Sequence, residues 1–137
     1  MTPPKVLLAD DNPTVLEVVS RILTPEFEVV GAVADGRSLI TETQKLIPDV
    51  VLVDLLMPDL NGLEVARELK KHHRTAKIIF LTVFVDSAFV EEARDIGAMG
   101  YVLKSSADRD LIPAIHEALE GRFFHSPSLQ CERGVRS

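Results

Sequence analysis

Short runs of apolar, β-branched residues alternate along this chain with longer stretches whose apolar positions recur every three or four residues. The runs Val6-Leu7-Leu8-Ala9, Phe27 to Val33, Val50-Val51-Leu52-Val53, Lys77 to Thr82 and Met99 to Leu103 read as strands. The apolar character of the first, third and fourth is what burial on both faces of a sheet requires. Between the first two, Val15, Val18, Val19 and Ile22 repeat at helical spacing, and Asn12-Pro13 supplies an N-cap followed by proline at the first helical position. Gly36 to Leu46 predicts a second helix that Pro48 bars from continuing, and Asn61 to Lys71 a third, with Asn61 as its cap. Asp86 is placed to cap a fourth helix, which Gly97 closes. Leu111, Ile115, Ala118 and Leu119 form the stripe of a fifth that stops at Gly121. Pro113 predicts that this helix kinks, or that it starts nearer Asp110 than Ala107. Five βα units in succession predict an α/β fold, doubly wound around a five-stranded parallel sheet.

From Arg122 the periodicity stops. Pro127, Gly134 and several serines give residues 122–137 the composition of a linker or disordered tail, outside a domain spanning residues 1–121 and with no output domain after it. The 137 residues, 46% hydrophobic, suit one core. No apolar run approaches the length of a membrane span, and the start lacks a signal-peptide apolar region, so a cytoplasmic protein with no membrane contact is expected. Cys131 is the single cysteine, which excludes an internal disulfide and a thiolate cluster. A net charge of −6 argues against direct nucleic-acid binding by these residues.

In a parallel α/β sheet, ligands bind beyond the carboxyl ends of the strands. The polar residues out of keeping with the apolar pattern fall there: Asp10-Asp11 after the first strand, Asp54 after the third, Thr82 ending the fourth and Lys104 after the fifth. Three neighbouring carboxylates repel one another, and a divalent cation relieves this. With hard oxygen donors and no thiolate, Mg²⁺ is the expected metal. A lysine and a hydroxyl beside it suit transfer of a phosphoryl group onto a carboxylate. Taken singly, these residues have ordinary explanations: the acids as helix caps, Thr82 as a β-favouring residue, Lys104 as a solvated charge, Tyr101 as packing. His72-His73 reads as favourable charge at a helix C-terminus, since adjacent positions do not share a face.

The series Leu7-Leu8-Ala9-Asp10-Asp11-Asn12, Asp54-Leu55-Leu56-Met57-Pro58-Asp59-Leu60-Asn61-Gly62, Leu81-Thr82 and Gly100-Tyr101-Val102-Leu103-Lys104 resembles the response-regulator receiver family in order and spacing. The resemblance implies a flavodoxin-like fold with strand order 2-1-3-4-5 and a phosphorylation-dependent switch of a two-component system. It implies Asp54 as phosphoacceptor; Asp11, Asp10, Asp54 and the Leu56 backbone carbonyl around Mg²⁺; Lys104 on the phosphoryl oxygens; and Thr82 with Tyr101 as the switch, the ring turning inward. Leu56 and Phe84 would tune the lifetime of the phosphoryl group. Many family members have proline after the lysine, whereas Ser105 follows here, which opens the question of a cis peptide after Lys104. Gly97 to Lys104, Ala118 to Arg122 and Ser126-Pro127 further resemble receivers of LuxR-type transcription regulators. A sensor histidine kinase as donor, a phosphorylation-promoted homodimer and a helix-turn-helix output in the full-length protein follow as expectations. The alternatives are a stand-alone receiver acting through protein contacts, or a phosphatase of the aspartyl-phosphate type. The latter commonly has one residue between its paired acids, whereas Asp10 and Asp11 are adjacent.

Overall fold

The computed structural model describes residues 2–72 and 75–129. Its parallel strands are β1 (Lys5–Ala9), β2 (Glu28–Val33), β3 (Val50–Val53), β4 (Lys77–Thr82), β5 (Gly100–Leu103) and β6 (Phe124–His125). Helices α1 (Pro13–Leu23), α2 (Gly36–Leu46), α3 (Gly62–His72), α4 (Ser87–Asp95) and α5 (Ala107–Leu119) connect them. The strand order is β2-β1-β3-β4-β5-β6. The flavodoxin-like order is as expected, but the sheet has six strands where five were predicted. The sixth is two residues long and has no periodicity of its own to read; it forms because the outer edge of β5 offers backbone groups to pair with.

Alternation along the strands sorts the core into two layers. Leu7, Val51, Val53, Ile78, Phe80 and Tyr101 pack with Leu39 of α2, with Leu63, Val65 and Leu69 of α3, and with Val90 and Ala93 of α4. Val6, Leu8, Leu52, Ile79, Leu81 and Val102 pack with Val19 and Leu23 of α1 and with Leu111, Ile115 and Ala118 of α5. Helices thus cover both faces, which is why these strands carry unbroken apolar runs. Among the described residues no helix is long and apolar enough to cross a membrane.

The helix starts follow the local chemistry. The Asn12 side chain accepts from Thr14 N and Val15 N, at 2.9 and 3.4 Å, with Pro13 next in the chain. Asn61 and Glu64 form a reciprocal capping box, Glu64 N donating to Asn61 Oδ1 at 2.9 Å and Asn61 N to Glu64 Oε1 at 3.1 Å. Asp86 caps α4, and Gly97 after it takes φ +93°. Helix α5 starts at Ala107 and not nearer Asp110. Ser106 Oγ donates to Asp110 Oδ2 at 2.6 Å, and Ala107 and Leu111 are buried, so the first turn is held from inside. Pro113 lies within the helix on its exposed side.

Candidate functional site

The register of the sheet decides which side chains meet. Ala9 pairs with Val53, so Asp10 and Asp54, each one residue further, leave adjacent strands side by side. This is the point where the order reverses between β1 and β3. Thr82 pairs with Leu103, which sets Lys104 one residue beyond the neighbouring strand end. Gly62 lets the start of α3 close on the same rim: a Cβ there would lie 2.5 Å from the Asp54 carbonyl oxygen, and Gly62 N donates to Leu55 O at 2.8 Å.

Asp10 and Asp54 are held alike. Each accepts on Oδ1 from the backbone N–H two residues on, Asn12 N at 2.9 Å and Leu56 N at 3.2 Å. That leaves both Oδ2 atoms toward Lys104, whose Nζ is 2.6 Å from Asp10 Oδ2 and 3.2 Å from Asp54 Oδ2. The buried Asp10 Oδ2 has no partner besides this ammonium. Asp11 is exposed, and oxygens of Asp10, Asp11 and Asp54 lie within 4.8 Å of one another. Burial, and then the charge of Asp10, raise the Asp54 carboxyl above the ordinary carboxylate range, while the Leu56 N–H and Lys104 work against them. Burial disfavours the Lys104 ammonium, yet the contact with Asp10 and the charges of both acids prevail and hold it above the usual lysine value.

Three carboxylates beside one ammonium leave two negative charges in excess. A divalent cation fits this donor set: hard oxygens, with no histidine or thiolate in the cluster.

Thr82 is fully buried, and its Oγ1 accepts from Phe84 N at 3.2 Å. Tyr101 is fully buried as well, with its ring already inside and its hydroxyl donating to Phe84 O at 2.9 Å. Burial, and then the charge of Asp86, push the Tyr101 phenol up. Leu56 is 57% exposed at the rim, whereas Phe84 packs its ring on Phe89 at 5.3 Å. No peptide bond is cis among the described residues, the one after Lys104 included. His72 pairs with Glu68 on its own helix at 3.3 Å; His73 and Cys131 lie outside the described residues.

The family model for the response regulator receiver domain matches residues 6–116. The chain belongs to the response regulator receiver family. Among curated proteins, this receiver is 36% identical over 127 residues to the response regulator protein VraR of Staphylococcus epidermidis, covering 91% of this chain and 61% of that protein. To VraR of Staphylococcus aureus it is 34% identical over 127 residues. The receiver therefore spans about three-fifths of the length of these relatives, 61%. Its fold matches a LuxR-family two-component response regulator from Aurantimonas sp. SI85-9A1 at TM-score 0.91 and 33% identity, with 98% of each chain covered. It also matches the isolated receiver of RcsB from Salmonella enterica serovar Typhimurium with the phosphomimetic BeF3-, at TM-score 0.87 and 30% identity over 94% of this chain and 97% of that one.

Two features escaped the sequence reading. Asp59 accepts from Gly36 N at 2.8 Å and from Arg37 N at 3.0 Å, capping α2 from the loop after β3 and tying that loop down. These bonds, that of Gly36 first, hold its carboxyl below the usual range. Its place after Pro58, in a turn, was the available signal. The second is Ser126, a wholly buried residue in the stretch read as tail.

Proposed function

We propose that Asp54 is the phosphoacceptor of a two-component switch, and that the phosphoryl group comes from a histidine kinase. The observation that carries this is the placement of Asp54 Oδ2 beside Lys104 Nζ, 3.2 Å away, within a cluster of three carboxylates. The Asp54 carboxylate attacks phosphorus; an O–P bond forms as the N–P bond of a phosphohistidine breaks, and the imidazole keeps the nitrogen lone pair and takes up a proton. Lys104 is within reach of the incoming phosphoryl oxygens and balances part of their charge. Asp11, Asp10, Asp54 and the Leu56 carbonyl would hold Mg²⁺, which supplies positive charge to the same oxygens. Thr82 would turn its hydroxyl toward the phosphoryl group, giving up the Phe84 N–H, and Phe84 is also what the Tyr101 hydroxyl holds. This shared residue is a route from the site to the face of α4, β5 and α5.

By similarity to VraR and the LuxR-family regulator, the switch would sit in the cytoplasm and control a helix-turn-helix, DNA-binding output in the full-length protein. A phosphorylation-promoted homodimer is part of the proposal. Sedimentation with beryllofluoride and Mg²⁺ is expected to shift the protein from monomer to dimer, and an unchanged monomer would refute that part. The phosphoacceptor itself is tested with acetyl phosphate and Mg²⁺. The expected result is added mass of one phosphoryl group, labile to hydroxylamine and absent from Asp54→Ala. Labelling that survives this substitution contradicts the proposal.

A further inference from the structure

Leu103 ends β5 one residue before Lys104, and its N–H points along the outer edge of the strand toward β6. Leu103 is buried, so this N–H needs a partner inside the protein. The ladder runs from Phe124 N to Met99 O and from Ser126 N to Tyr101 O, at 3.1 and 3.0 Å. Its next rung would use the Ser126 carbonyl. That carbonyl instead accepts from Leu129 N at 3.0 Å as the chain turns away through Pro127–Leu129. The Ser126 hydroxyl takes its place, accepting from Leu103 N at 2.9 Å. On its other side Ser126 Oγ lies 3.5 Å from Ser106 Oγ, which donates to Asp110. All three side chains are buried.

We propose that Ser126 is a positioning residue for Lys104. It grips the backbone one residue before the lysine, at Leu103, and contacts Ser106 two residues after it. The proposal rests on the phosphoacceptor reading. Its content is that the segment after α5 sets where the ammonium stands over Asp10 and Asp54. Phe123 and Phe124 fasten that segment by packing on the two core layers, Arg94 lies 4.4 Å over the Phe123 ring, and Leu129 is buried. Leu129 is thus tied to the strand that leads into the lysine.

The test is a double-mutant cycle on the rate of labelling by acetyl phosphate and Mg²⁺ in the 137-residue chain. Ser126→Ala removes the acceptor and leaves the fold's apolar contacts in place. It is expected to slow labelling about tenfold in an otherwise native chain, since small misplacements in a preorganised site are costly. In a Lys104→Ala background it is expected to slow labelling no further. Equal slowing in both backgrounds, or none in the native one, overturns the proposal, because a merely structural role does not depend on the lysine. If Ser126→Ala does not fold, the near-isosteric Ser126→Cys, whose sulfur is a weaker acceptor, decides by the same criterion, with slowing of about threefold expected. Failure of the native chain to label at Asp54 is a separate outcome, and it refutes the phosphoacceptor reading instead.

Discussion

Charged residues in this receiver live under two regimes. On and beside the helices, Glu17–Arg21, Glu42–Lys45, Arg67–Glu92 and Glu117–Arg122 pair in solvent, at separations from 2.7 to 3.7 Å. At the carboxyl ends of β1, β3 and β5, Asp10 and Asp54 pair with Lys104 at similar distances, but both acids are buried. Distance is therefore not what separates the two. Water screens the first set, whose members contribute little to stability. The second set gives up hydration and carries surplus negative charge, so the fold holds it at a cost. A site with surplus negative charge beside a single ammonium is one that a divalent cation stabilises.

Four predictions would break or sharpen this contrast. The largest concerns the rim. A polar side chain at Leu56 or Phe84 could hold the water that attacks an aspartyl phosphate in line, whereas the present alkyl and phenyl groups cannot. Relative to the Leu56→Asn, Phe84→Glu double variant, the native protein should lose its phosphoryl group more slowly, on the order of 10²-fold. Equal decay after removal of the donor would show that these side chains do not set the lifetime. Next, Asp11→Ala removes an exposed acid from the cluster while leaving Asp10 and Asp54 in place. Mg²⁺ affinity, measured by calorimetry, should fall roughly tenfold or more.

Third is the stability cost of the buried pair. The Asp54 carboxyl is raised, so the folded state binds its proton more readily than the unfolded chain does. Its charged form then disfavours folding at neutral pH, and this penalty is relieved as pH falls through the raised value. Asp54→Asn should accordingly raise the melting midpoint in a chelator at pH 7, and the gain should shrink on acidification. Mg²⁺ should raise the midpoint of the native protein more than that of the variant. A lower midpoint for Asp54→Asn would mean that the Lys104 pairing outweighs burial. The smallest effect belongs to the surface: Glu17→Ala should change stability by under about 0.5 kcal/mol in chemical denaturation.

What could be read from the sequence was local. Asn12-Pro13, Asn61 with Glu64, and Asp86 announce their helices because each cap is satisfied within three residues. The apolar runs announce their strands because both faces are covered. The neighbourhood of Asp10 and Asp54 is not local: it depends on β1 and β3 being adjacent, and that order came from resemblance to the family. Ser126 and Asp59 were hidden for the same reason. Their partners, Leu103 and Gly36, are 23 residues away in each case, and no periodicity links them. Helix α5 shows the converse: Pro113 allowed a start nearer Asp110, and the buried contacts of the first turn set the start at Ala107 instead.

The central claim is that one carboxylate among the three becomes phosphorylated, and the most direct measurement traps it. An aspartyl phosphate is a mixed anhydride that borohydride reduces to the alcohol, so the modified aspartate becomes homoserine. The protein treated with acetyl phosphate and Mg²⁺, reduced and digested, should give homoserine at position 54 and unmodified aspartate at positions 10 and 11. Homoserine at either of those positions, or at none, would contradict the account.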